Sequence, residues 1–218
     1  MLIDHIAFFF LPAESLLWKV GRYIGRLAFP IFCFLIVEGF FRTKNLKKYF
    51  LRLGILAVVS EAAFDFAFSA DFLNFRENFR NQSVIITLII GLLAITLIDR
   101  AKMKYLVPAP MTYNVLASIV ILLACATGFF FRSDYDVFGI LLIICLYYFR
   151  PQKLFCAIAF VVLCLLFDYV PQYEIVGVAA FIPIYFFNGE KGCDDRHLFY
   201  LFYPLHLAVI GLVCMLVK

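Results

Sequence analysis

Residues 82–98 read QSVIITLIIGLLAITLI, a run that contains no charged side chain. A transmembrane helix needs about 20 predominantly apolar residues, whereas a strand of a membrane barrel alternates apolar and polar positions. This run does not alternate, so it predicts a membrane-spanning helix. Seven further segments have the same character and lie at 23–41, 49–70, 111–131, 135–149, 153–168, 172–187 and 197–217.

The composition extends this prediction to the whole chain. Of the 218 residues, 65% are hydrophobic and 16% are charged, against roughly 45–50% and about 25% in soluble domains. The interior of a soluble globule of this size is too small to bury that excess, so lipid must surround it. We therefore expect an all-α polytopic transmembrane helix bundle of about eight or nine spanning helices. No linker or repeat divides it, so residues 1–218 form a single domain.

The net charge and the cysteines exclude other classes of protein. The formal charge of +4 comes from short basic clusters beside apolar segments, which is how membrane orientation is encoded, so no nucleic-acid partner is expected. Seven cysteines are present without a CxxC pair. We interpret them as reduced core residues and expect no structural metal.

The loop charges predict the orientation. Lys and Arg follow alternate segments at residues 42–48, 100–104, 150–153 and 191–196, and the opposite loops mix both signs. By the positive-inside rule the first set is cytoplasmic, which also places the N-terminus in the cytoplasm. With residues 42–48 and the N-terminus both in the cytoplasm, the chain must cross the membrane once more before the segment at 23–41. That first span would be Leu2–Leu11, which is only about half the usual length. It lacks a basic start and a cleavage site, so a signal peptide is not expected.

Ionisable residues within apolar segments are costly and are therefore candidates for a functional site. Segments 23–41 and 49–70 are joined by a short basic loop, which predicts an antiparallel hairpin with Arg26 level with Phe64. Arg26 would then meet Glu61 and Asp65, while Glu38 would pair with Arg52. The full set of candidates is Asp4, His5, Arg22, Arg26, Glu38, Arg52, Glu61, Asp65 and His206.

The first short helix adds histidine to this layer. A turn near residue 16 places His5 within about one helical turn of Arg26, and Asp4 points about 100° away from it on the helix. His206 follows Pro204, which kinks a helix and frees a backbone carbonyl. Purely structural roles remain open: the charges can fix helix packing, and each histidine can bond the backbone. Gly21 and Gly25 form a GxxxG pattern of close helix approach.

Five stretches resemble the TraX family of polytopic membrane proteins. They are MLIDHIA at 1–7, GRLAFPIFCFLIVEGFFRTKN at 25–45, YFLRL and SEAAFDFAFS within 49–69, FIPIYFFNGEKG at 181–192, and LFYLFYPLHLAVI at 198–210. The resemblance implies a multi-pass protein of the bacterial inner membrane. The best-known activity of the family is N-terminal acetylation of conjugative pilin, and its layout is similar to that of larger transmembrane acyltransferases.

The resemblance therefore implies an acetyl- or acyltransferase that uses acetyl-CoA or a similar thioester. Such chemistry needs a base for the acceptor proton and a group that stabilises the oxyanion. His5 is the natural base, because imidazole titrates near neutrality, and Arg26 can stabilise negative charge. Asp4, Glu61, Asp65 and His206 complete the expected catalytic set. The cytoplasmic cations Arg42, Lys47, Lys48 and Arg52 would attract the phosphates of the donor.

Two other classes remain open at this stage. Intramembrane His, Asp and Glu side chains also line the pathways of transporters and channels, although no inverted repeat or matched pair of broken helices is present. A partner in assembly without chemistry of its own is the third class. The acceptor is not named by the sequence: a protein N-terminus, a glycan or a lipid head group would each serve.

Overall fold

The structure, a computed structural model, describes residues 1–13, 15–68, 83–131, 135–167, 172–190 and 196–217, with side chains described there except at 65–68, 172–173, 196–199 and 217. This part of the chain is helical and contains no strand, which confirms the all-α prediction. The helices are α1 Leu2–Phe10, α2 Leu16–Arg26, α3 Ala28–Arg42, α4 Leu46–Phe68, α5 Val84–Tyr105, α6 Pro110–Phe131, α7 Asp136–Tyr148, α8 Lys153–Leu166, a 3-10 helix Gln172–Ala180, α9 Phe181–Phe186 and α10 Arg196–Val217.

Three segments of the described chain are long and apolar enough to cross a membrane: Leu16–Arg42, Val84–Tyr105 and Pro110–Phe131. The first starts earlier than predicted, because α2 and α3 follow one another with a single break at Leu27. Shorter apolar helices account for much of the rest. The segment predicted at 172–187 is a 3-10 helix followed by the six-residue α9.

The core lies where α3, α5 and α7 pack on one another. Phe138, Leu92 and Ile143 are fully buried there. Lipid-facing positions are as apolar as the core: on α6, Leu122 is 69% and Phe130 is 81% exposed. A helix that is apolar all round is typical of a membrane span, so the bundle is that of a membrane protein.

The predicted hairpin of the segments at 23–41 and 49–70 is wrong in its packing. Tyr49 at the start of α4 lies against Gly39 of α3, but α4 then packs mainly against α10 and α5. Helices α3 and α4 are therefore in contact near the short turn that joins them, but they do not pack against each other along their length. The pairings inferred from that hairpin change accordingly, as described for the site below.

Helix α1 lies against α2 at the two glycines of the GxxxG pattern. A Cβ built on Gly21 would be 2.5 Å from the Cβ of Ala7, and one on Gly25 would be 2.5 Å from the Cγ of Asp4. Real Cβ atoms do not approach other atoms this closely, so both positions require glycine. The pattern therefore brings α1, with Asp4 and His5, onto α2.

We expect Gly25→Ala to displace α1 and to lower the thermal stability of the purified protein, since overpacking of this kind costs about 1–3 kcal/mol. Gly54→Ala is the matched control: Gly54 lies within α4, and a Cβ there would meet nothing within 4 Å. Because alanine is the better helix former, that variant should melt at the same or a higher temperature. Equal melting temperatures for Gly25→Ala and the parent protein would show that α1 does not depend on this contact.

Candidate active site

The two described histidines of the membrane segments meet at the contact between α1 and α10. The Nδ1 atom of His5 lies 2.9 Å from the Nε2 atom of His206, and the two rings stack with centroids 5.1 Å apart. His206 is 7% exposed, so the pair is largely shielded from its surroundings. These residues are 201 positions apart in the chain, and no sequence pattern indicated their contact.

The hydrogen bonds assign the proton positions of this pair. The Nδ1 atom of His206 lies 2.8 Å from the carbonyl oxygen of Phe202, and since a carbonyl only accepts, that Nδ1 must carry the proton. In the neutral ring Nε2 is then the acceptor, so the Nδ1–H of His5 donates to it. With both rings neutral, Nε2 becomes the basic nitrogen of His5.

A cluster of charges forms around Asp4, the residue that precedes His5 on α1. Arg22 donates to the Oδ1 atom of Asp4 at 2.8 Å, and Arg26 donates to Oδ2 of the same carboxylate at 3.3 Å. Asp4 is 9% exposed. Arg22 and Arg26 are four residues apart and therefore share a face of α2, as predicted from the sequence. Their shared acid is Asp4, which the sequence placed beside His5 and assigned to no partner.

Glu174 is the second acid of this cluster, and sequence reasoning missed it. Its side chain is 1% exposed, and its Oε2 accepts from Arg26 at 3.1 Å. Arg26 also donates to the hydroxyl of Tyr135 at 3.2 Å. The signal was available: Glu174 is an acid inside the apolar segment 172–187, and the rule that selected Glu61 applies to it equally. The 3-10 helix that carries it packs on α2 and α3.

Glu61 does not join the Arg26 cluster. Its carboxylate accepts from the backbone N–H of Ser83 at 3.1 Å, at the start of α5. The predicted pairing of Arg26 with Glu61 is therefore wrong, because α4 packs against α5 and α10 and not along α3. Asp65 belongs to α4, but its side chain lies outside the described residues.

The predicted Glu38–Arg52 pair is replaced by a different one. Glu38 accepts from the Nε of Arg42 at 2.9 Å and from the Nε of Arg150 at 2.7 Å. Arg42 also donates to the carbonyl of Gly189. Arg52, on the exposed face of α4, lies over the ring of Tyr49. Lys47 and Lys48 are exposed at the start of α4, and Arg42 is exposed as well, so all four predicted donor-binding cations reach the surface.

An apolar groove of about 360 Å³ runs between α1 and α10 beside the histidine pair. Its described lining is apolar except for His206, and includes Ile6, Leu205 and Val209. These three side chains are between 42% and 55% exposed, so the groove opens towards the bilayer. The histidine pair can therefore be approached laterally from lipid.

The depth of the cluster follows from helix geometry. Arg26 lies ten residues after the start of α2 at Leu16, or about 15 Å along the helix. It is sixteen residues, or about 24 Å, from Arg42 at the other end of the same spanning segment. Arg26, with Asp4 and Glu174 bound to it, thus lies inside the candidate span Leu16–Arg42, nearer to its Leu16 end. By the predicted orientation this is the extracytoplasmic half.

The site combines a histidine pair, in which His206 accepts from His5, with the guanidinium groups of Arg22 and Arg26 on Asp4. Together with the fold it defines a polytopic helical membrane protein with an ionisable cluster at membrane depth. The chain belongs to the TraX family: the family described as "TraX protein" matches residues 1–214. It is also similar to the probable fimbrial assembly protein FimC, serogroup H1, of Dichelobacter nodosus, with 30% identity over 96% of this chain and 89% of that protein. No solved structure matches the chain.

Proposed function

We propose that this protein is a membrane-embedded acetyl- or acyltransferase that moves an acyl group from acetyl-CoA, or a similar thioester, to an amine or hydroxyl at the membrane. The observation that supports it best is the His5–His206 hydrogen bond. A base held in one tautomer by a second group is the arrangement that activates a nucleophile in acyl transfer. A histidine with a purely structural role does not need its Nε2 atom to be basic.

The chemistry follows from these positions. The acceptor loses its proton to Nε2 of His5 as its nitrogen or oxygen attacks the thioester carbonyl, and a tetrahedral oxyanion forms. His5 is then an imidazolium whose Nδ1–H still donates to His206. When the C–S bond breaks, the thiolate of the donor takes the proton from His5 and leaves as the thiol. Arg22 or Arg26, whose guanidinium groups bind Asp4 next to His5, would stabilise the oxyanion.

The donor would approach from the basic face. All four cations are exposed, but Arg42 is paired with Glu38, which leaves Lys47, Lys48 and Arg52 to contact phosphate groups. The distance of about 24 Å along α2 and α3 means that the thioester arm must extend into the bundle to reach His5. This proposal places the basic face in the cytoplasm of a bacterial cell and the protein in the inner membrane.

Neutralising the exposed cations tests the donor site. We expect the triple variant Lys47→Gln, Lys48→Gln, Arg52→Gln to raise the KM for acetyl-CoA with little change in kcat, since the lost attraction acts on binding alone. The matched control is Lys102→Gln with Lys104→Gln, in the last turn of α5, which is predicted to share this face. Labelling of a cysteine introduced at Asn45 confirms that orientation is unchanged. A KM equal to that of the parent protein would place the donor elsewhere.

The function itself is tested with purified protein in nanodiscs. Release of free thiol from acetyl-CoA, stimulated by an acceptor, would support the transferase. The similarity to a fimbrial assembly protein makes a pilin N-terminus the first acceptor to try, followed by glycan and lipid amines and hydroxyls. Uptake of a solute into liposomes, coupled to proton movement and without release of thiol from acetyl-CoA, would support a transporter and contradict this proposal.

A further inference from the structure

Three hydroxyl groups, one on α4 and two at the start of α5, are buried and have no hydrogen-bond partner among the described residues. Ser60, Ser83 and Thr87 have no exposed surface, and their hydroxyl oxygens make no hydrogen bond in the described part of the structure. Leaving a buried hydroxyl unpaired costs about 1–3 kcal/mol. The same helix shows the usual solution elsewhere, because Thr96 donates to the carbonyl of Leu92 at 2.7 Å. The three unpaired groups therefore differ from ordinary hydroxyls of a membrane helix.

These groups belong to one place in the fold. Glu61 accepts from the N–H of Ser83 at 3.1 Å, and Ser60 precedes Glu61 on α4. Thr87 follows Ser83 by one turn of α5 and so shares its face. Glu61 of α4 and Ser83 at the start of α5 are thus in contact, with Ser60 next to Glu61 in the sequence and Thr87 on the helix face of Ser83.

The same patch borders the Arg26 cluster. A Cβ built on Gly139 would be 2.6 Å from the Cγ2 of Thr87 and 2.8 Å from the Cβ of Tyr135. Tyr135 in turn accepts from Arg26. The polar patch therefore reaches from the end of α4 to the charges at membrane depth through adjacent side chains.

We propose that Ser60, Glu61, Ser83 and Thr87 form a hydrated pocket that holds ordered water, and other small hydroxyl-bearing molecules, beside the Arg26 cluster. Buried water occupies sites where two to four polar groups are available to it, and this patch supplies three hydroxyls and a carboxylate. Hydration of the pocket does not depend on acyl transfer.

Thiol modification tests the hydration. Ser83→Cys and Thr87→Cys proteins in nanodiscs are treated with a small, charged, membrane-impermeant methanethiosulfonate, and mass spectrometry measures modification at each introduced site. Thr96→Cys is the matched control on the same helix. We expect both pocket sites to react at least about tenfold faster than position 96, because modification follows thiol exposure to water. Rates equal to that of the control would show that the pocket is dry and overturn the proposal.

Thermal stability tests the hydration of the pocket independently of thiol modification. In a dry site, Thr87→Val removes an unpaired hydroxyl and should raise the melting temperature, since isosteric apolar replacement there is neutral or favourable. In a hydrated site the same substitution removes a hydrogen-bond partner of the bound water and should lower the melting temperature. Thr96→Val, which loses the hydrogen bond to the carbonyl of Leu92, provides the reference change in melting temperature. A higher melting temperature for Thr87→Val would also contradict the pocket.

Discussion

His5→Gln is expected to lower the rate of acyl transfer by about 10²–10⁴-fold, the contribution of a general base. Glutamine retains hydrogen bonding towards His206 but cannot accept a proton at neutral pH. Because the base acts only in the reaction, kcat should fall while donor binding and the melting temperature stay near those of the parent protein. The measurement is steady-state thiol release from acetyl-CoA with acceptor present, together with a thermal melt.

His206→Gln is the control for this result. The amide oxygen of glutamine can still accept from Nδ1 of His5, so the loss of rate should be smaller than for His5→Gln. His5→Ala should remove both the base and the stacked ring and abolish transfer. Turnover near that of the parent protein in His5→Gln would rule out His5 as the base. The role would then pass to His206 or to the acids of α4.

Arg26→Met is expected to have the largest effect on stability. Arg26 contacts both Asp4 and Glu174, and removing one partner of a buried ion pair costs about 3–5 kcal/mol because the remaining charge stays buried. Methionine retains the length and the apolar stem of the side chain. We expect a markedly lower melting temperature in detergent and a lower yield of folded protein.

Arg22→Met separates this effect from a general loss of charge. Arg22 contacts Asp4, which keeps its contact with Arg26 in this variant, so the fall in melting temperature should be clearly smaller. The two arginines share a helix face and a common carboxylate, which makes them a matched pair. Equal effects of the two substitutions would mean that the contact with Glu174 contributes little.

The helices were well predicted because their signal is local. Runs such as 82–98 and 111–131 exceed the length that a soluble core helix needs, and the structure contains a helix at each. The bounds were less accurate at Leu16, where Lys19 and Arg22 dilute the apolar run, and at 172–187, where a 3-10 helix forms. Length and composition do not distinguish these backbone geometries.

Most members of the site were predicted, with the exception of Glu174 and Tyr135, but their pairings were not. Asp4, His5, Arg26 and His206 were selected because ionisable groups are costly in lipid, and the structure brings them together. The partners of Arg26 were wrong because neighbouring segments were assumed to pack along their length. The contact of His5 with His206 joins the first and last described helices, and no local pattern encodes such a contact.

The distance in sequence between the partners of Arg26 also orders the assembly of the protein in the cell. Asp4 emerges from the ribosome before Arg22 and Arg26, but Glu174 follows Arg26 only after 148 further residues. At 5–20 residues per second that delay is about 7–30 seconds. During this time α1 and α2 of the nascent chain hold two guanidinium groups, of Arg22 and Arg26, and only one carboxylate, of Asp4, in the bilayer. We therefore expect chains that stop before the 3-10 helix to be retained by the insertion machinery or degraded, and synthesis of the last third of the protein to stabilise the first.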